Sequence, residues 1–154
     1  MSAQRPDSLG LWNQEIELAK SDSEKLTSYA KIIEAYIHTQ PIQAVNYYFD
    51  LYCSVSSMFL IDRQENISNL SLILNSKYKS LQDSMLKSRI AKFDDKKPER
   101  NLGVYYYLLS INSTYRGLRE TAIKYCLKAD EIFKKINDPE ANALTSMILL
   151  SHFI

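Results

Sequence analysis

The sequence predicts an all-α fold of antiparallel helical hairpins, and three observations predict it. Apolar residues recur at helical spacing along most of the chain. Glycine and proline are scarce, 3 and 4 among 154 residues, and Pro6, Pro41, Pro98 and Pro139 fall where the helical pattern breaks. Between Tyr105 and Phe153, small residues stand where two helices have to touch: Ala122 and Ala129, with Cys126 between them and Tyr106 and Leu109 one helix earlier. That layout predicts a helical repeat, in which each hairpin buries its faces against the next. Such a protein holds other molecules rather than transforming them.

Each element has its own signals. Residues 1–7 read as a polar tail that frays, and a first helix is expected over 8–20. Ser21 and Glu24 form a capping-box pattern ahead of a second helix carrying Leu26, Tyr29, Ile33, Tyr36 and Ile37. Pro41 restarts the chain, because a first helical turn does not need the missing N–H. The third helix carries a stripe from Val45 and Tyr48 to Met58 and Phe59. A fourth, over about 67–92, is long enough that a bend is expected near Asn75 and Ser76. The charged loop 93–98, closed by Pro98, separates an N-terminal helical bundle with linker helix (1–93) from a hairpin plus the first helix of a following repeat (98–154).

Gly117 permits the turn between the fifth and sixth helices, and the sixth has a clean apolar face running from Leu118 to Ile136. Asp138 is a good N-cap for the last helix, with Pro139 in its first turn. That helix stays apolar nearly to Ile154 without a stop signal. The pattern is expected of the N-terminal piece of a longer protein, or of a helix that docks on a partner or pairs two copies as a homodimer.

Composition narrows the function classes. The formal charge is +1, from 19 basic and 18 acidic side chains, which gives no global footprint for nucleic acid. No apolar run approaches the roughly 20 residues of a membrane span, and no signal peptide precedes Leu9. A cytoplasmic protein that contacts neither membrane nor nucleic acid is expected. Cys53 and Cys126 lie on apolar faces and read as buried, reduced thiols. His38 and His152 have no metal-ligand spacing around them, no phosphate loop exists, and no cofactor is expected. Asp94, Asp95, Lys96 and Lys97 read as a solvated loop. The 11 tyrosines are expected mostly as half-buried packing residues with their hydroxyls toward solvent.

Tyr106, Leu109, Gly117, Ala122, Cys126 and Ala129 stand at the spacing of a tetratricopeptide repeat, a right-handed helical repeat of roughly 34 residues. Ser110, Ser113 and Arg119 depart from its usual small and aromatic residues. A broader likeness covers nearly the whole chain. Leu9 to Leu11, Tyr52 to Val55, Phe59 to Asp62, Tyr105 to Tyr107, Ala122 to Ala129 and Ile136 to Ala141 together resemble the N-terminal part of the Rap family, tetratricopeptide regulators of Gram-positive bacteria related to peptide-pheromone-responsive regulators.

The resemblance implies that the N-terminal bundle binds a response regulator or its DNA-binding domain. It also implies that later repeats, in a longer form, hold a peptide ligand. Some members remove a phosphoryl group from an aspartate, a glutamine near the start of the third helix positioning the water. Gln43 stands within one position of that register, with Gln40 nearby, while Pro41 and Ile42 replace the family's acidic residues. The bland reading makes Gln43 a solvated residue of a first helical turn. The leading expectation is a non-enzymatic interaction module. The alternatives are a phospho-aspartate phosphatase using Gln43, and a sensor segment of a larger signalling protein.

Overall fold

The computed structural model describes residues 6–94 and 96–153. Residues 1–5 of the expected fraying tail, Asp95 of the charged loop, and Ile154 lie outside the described residues. Among the described residues the chain is all-α, with nine helices packed as antiparallel neighbours and no strand. In order these are α1 (Pro6–Leu18), α2 (Asp22–Tyr36), α3 (Pro41–Ser54), α4 (Met58–Arg63), α5 (Glu65–Lys77), α6 (Lys79–Ile90), α7 (Arg100–Tyr115), α8 (Arg119–Lys135) and α9 (Pro139–Ser151). None is long and apolar enough to cross a membrane. The chain falls into two compact units, Met1–Leu74 and Asn75–Ile154.

In the first unit α2 is the central helix, with α1 and α3 as its neighbours. Leu26, Tyr29, Ile32, Ile33 and Ile37 are buried against Ala44, Val45, Tyr48, Phe49 and Tyr52 in one core. The Ser21 hydroxyl caps α2 by accepting from the Glu24 N–H at 3.2 Å. The Glu24 carboxylate reaches one residue further back than a capping box requires and accepts from the Lys20 N–H at 2.8 Å.

The apolar stripe beginning at Val45 does not run through one helix to Phe59. It breaks after Ser54, although Val55, Met58 and Ile61 remain buried on the same core. The cause is a clasp from the start of α2. Asp22 accepts from both the N–H and the hydroxyl of Ser56, and the Lys25 ammonium donates to the Ser54 carbonyl at 3.1 Å. Backbone groups held this way cannot continue the helical ladder.

The expected long fourth helix is two helices, with Tyr78 between them outside helical geometry (φ −122°, ψ 36°). The break falls two residues beyond Ser76. A buried amide pair sits across it, Gln82 donating to Asn75 at 3.0 Å, so neither polar side chain goes unsatisfied.

In the second unit α7 lies against α6 and α8, and α8 in turn against α9. Ala122, Cys126, Ala129 and Phe133 are fully buried along one face of α8. Helix α7 meets them with small residues. The Ser110 hydroxyl donates to the Ala122 carbonyl at 2.9 Å, and a Cβ added at Gly103 would lie 2.6 Å from the Phe133 ring. Gly117 turns the chain at φ +74°, a region that disfavours any side chain. At the far end of α8, Asp130 accepts from Asn142 at 2.5 Å and Thr145 at 2.7 Å of α9, and pairs with Lys134 at 3.0 Å. Asp138 caps α9 as expected, accepting from the Ala141 N–H at 3.1 Å.

Candidate functional site

Helix α1 is held differently from the others: none of its described side chains is fully buried. It leaves a groove on either side. Against α2, the face carrying Leu11, Gln14, Glu15 and Leu18 borders an apolar groove of about 490 Å³, with Leu11 and Leu18 largely exposed. Asn13, Ile16 and Glu17 border the other, a polar cleft of about 460 Å³ that contains Gln43.

The cleft is built by helical periodicity. On α3, Gln43, Asn46, Tyr47 and Asp50 recur at i, i+3, i+4 and i+7, which lines them along one face. Tyr29 of α2 closes the bottom. Its ring stands edge-on to Tyr47 at 6.4 Å, while Tyr47 stacks on Tyr36 at 6.5 Å. The Tyr47 hydroxyl then donates to the Asn13 side-chain carbonyl at 3.2 Å, joining α3 to α1.

Burial pushes the Tyr29 phenol above its usual range; the Ser54 hydroxyl opposes this and the Asp50 carboxylate adds to it. Tyr29 is therefore a neutral phenol at physiological pH. Among the described residues the lining offers three amides, Asn13, Gln43 and Asn46, and two carboxylates, Glu17 and Asp50, and no lysine or arginine. Amides present both a donor and an acceptor. The arrangement suits a polar or cationic protein surface, or an ordered water presented by Gln43.

Gln43 is exposed in the first turn of α3, whereas Gln40 occupies the N-cap position and does not line the cleft. His38 is exposed, and His152 lies within reach of the Thr114 hydroxyl at 3.4 Å. Among the described residues no cluster of His, Cys, Asp and Glu could hold a metal ion. Cys126 is buried, which pushes its thiol up to about 11, and Cys53 is half-buried.

Gln43 comes from the resemblance, whereas Asn46, Tyr47 and Asp50 are signalled only by their helical spacing on the face away from the apolar stripe. Asn13 and Glu17 have no such signal, because only tertiary packing brings α1 beside α3. Comparisons of the chain with protein-family models, with curated proteins and with solved structures find no match.

Proposed function

We propose that this chain is a non-enzymatic helical-repeat interaction module of the tetratricopeptide type that regulates a bacterial signalling partner, such as a response regulator or its DNA-binding domain. One observation carries the reading: α7 and α8 cross through buried small residues, Ser110 against Ala122 with Ala129 one face-turn on, joined by Gly117 in the left-handed region. Hairpins of that kind stack side by side and present continuous surfaces to other proteins. The likeness of the N-terminal helices to the Rap family supports a regulator as partner, and the polar cleft beside Gln43 is the surface offered to it.

A second reading, a phospho-aspartate phosphatase, is favoured by the exposure of Gln43 on that cleft. The partner would supply the aspartate and its metal, and the Gln43 amide would orient water for in-line attack. Two carboxylates in the same cleft weigh against it, since they repel a phosphorylated surface.

The deciding experiment measures binding to a panel of response regulators, phosphorylated and not, together with the rate of phosphate loss. The binding reading expects complex formation with at least one regulator and an unchanged dephosphorylation rate, in wild type and Gln43→Ala alike. A panel without any interaction overturns it. Accelerated phosphate loss that disappears in Gln43→Ala establishes the enzyme instead.

A further inference from the structure

A second cleft, of about 250 Å³, lies wholly within the second unit, where the loop before α7 meets the outer faces of α7 and α8. Its walls carry Lys96 and Lys97 from the loop and Lys128 and Lys135 from α8. Its remaining lining is largely apolar, with Leu102 buried and Pro98, Tyr106 and Ile132 beside it. The Tyr106 ring is fixed by stacking on Tyr125 at 6.0 Å, and the Lys128 ammonium stands 5.2 Å from its centre. Glu131 is the one acid in the described lining, and it is paired with Lys135 at 3.0 Å. Against it stand four lysines, in a chain whose total charge is only +1. The described lining is therefore net positive, with Asp94 beside the loop lysines accepting from the Lys96 N–H at 2.9 Å.

We infer that this cleft docks an acidic linear segment of a protein partner, one apolar side chain entering the hollow while flanking carboxylates meet the lysines. The chemistry of the lining selects this occupant. Isolated phosphate groups are usually gripped by backbone N–H groups or a guanidinium fork, and the lining offers ammonium groups over an apolar floor. A nucleic acid track needs a basic stripe longer than one small cleft. A membrane surface needs exposed apolar side chains to insert, whereas Leu102 is buried. Alternating apolar and carboxylate side chains satisfy floor and walls together, and opposed charges steer the encounter. This lining shares no residue with the cleft around Gln43.

Fluorescence anisotropy with two labelled peptides of equal length tests it. One carries a leucine flanked by aspartates and glutamates; the other has asparagine and glutamine in their place. The intact protein is expected to bind the acidic peptide about tenfold more tightly at low salt, and most of that preference should vanish as the Debye length falls from about 10 Å to about 3 Å. Lys96→Glu with Lys97→Glu, and separately Lys128→Glu with Lys135→Glu, should each remove the preference. The loop pair decides the matter if the helix pair disturbs folding. Equal affinity for the two peptides overturns the inference, as does a preference that survives both double variants. So does failure to bind the acidic peptide while phosphatidylserine vesicles or a single-stranded oligonucleotide bind in a lysine-dependent way.

Discussion

The hairpin of α7 and α8 and the bundle of α1, α2 and α3 are bridged by side chains of opposite size. In the hairpin a hydroxymethyl group spans the gap: Ser110 reaches the Ala122 backbone carbonyl at 2.9 Å. In the bundle a whole phenol is needed, and even then Tyr47 meets only the tip of Asn13, at 3.2 Å. Two side chains laid end to end hold α1 and α3 apart, and the space left over is the cleft containing Gln43. The same rule recurs inside the second unit. The face of α8 bearing Ala122 and Ala129 is closed, while the face of α7 where half-buried Tyr106 stands opens into the lysine cleft. Buried tyrosines such as Tyr48 and Tyr107 serve the core. Two of the half-buried ones, Tyr47 and Tyr106, stand at the clefts where the surface can receive something.

The largest effect is expected at Ala122. In Ala122→Leu, three added carbons would have to fit where the Ser110 hydroxyl already touches backbone, in a side chain with no exposed surface. Overpacking at such a site is expected to destabilise by about 3 kcal/mol. Urea unfolding followed by far-ultraviolet circular dichroism should show the midpoint fall by about 1 M or more. A midpoint within error of wild type would mean the two helices have room between them and are not closed by small residues.

A second substitution sharpens the contrast at the next interface. Asp130 is the hub joining α8 to α9, accepting from Asn142 and Thr145 while paired with Lys134. Asp130→Ala removes a charged acceptor from a nearly buried position and is expected to lose about 2 kcal/mol. Part of the loss is offset, because the single Thr145 hydroxyl proton can turn wholly to the Asn142 carbonyl, 2.8 Å away. Amide hydrogen exchange should locate the effect, with protection lost first in α9. Loss spread evenly over both units would contradict a local role.

What could be read from the sequence follows from how local each cause is. The small residues of α8, the turn at Gly117 and the cap at Asp138 act within a few positions of themselves, and they stand where the sequence placed them. The break after Ser54 was hidden because its cause, Asp22, is 34 positions away from Ser56. The apolar period also runs unbroken across it through Val55, Met58 and Ile61. The break at Tyr78 carries neither glycine nor proline, and the length of the apolar pattern with Asn75 and Ser76 points to a bend only two residues short of it. Gln43 is a candidate only through the register that the resemblance to the Rap family implies; its place in a first helical turn by itself gives the bland reading. Its cleft was not legible, because α1 supplies the opposite wall through side chains that sit at no distinctive spacing of their own.

The smallest effect expected lies in that Asp22 clasp, and its pH dependence has a definite sign. Partial burial pushes the Asp22 carboxyl up, but bonds from the Ser56 hydroxyl and N–H, helped by the Lys25 charge, outweigh this and hold it below its ordinary value of 3.8. The folded state therefore takes up this proton less readily than the unfolded chain. The clasp's contribution is fully present above the ordinary carboxylate range and drains away as pH falls through the folded value. Trp12, the only tryptophan, lies half-buried in α1 of the same unit and gives the reporter. Urea midpoints followed by its emission should differ between wild type and Asp22→Asn above about pH 5 and draw together as the pH falls below the ordinary value of 3.8. A constant gap across that range would mean that the hydrogen bonds to Ser56 do not depend on charge. A gap that widened on acidification would reverse the sign and undo the account of why α3 ends where it does.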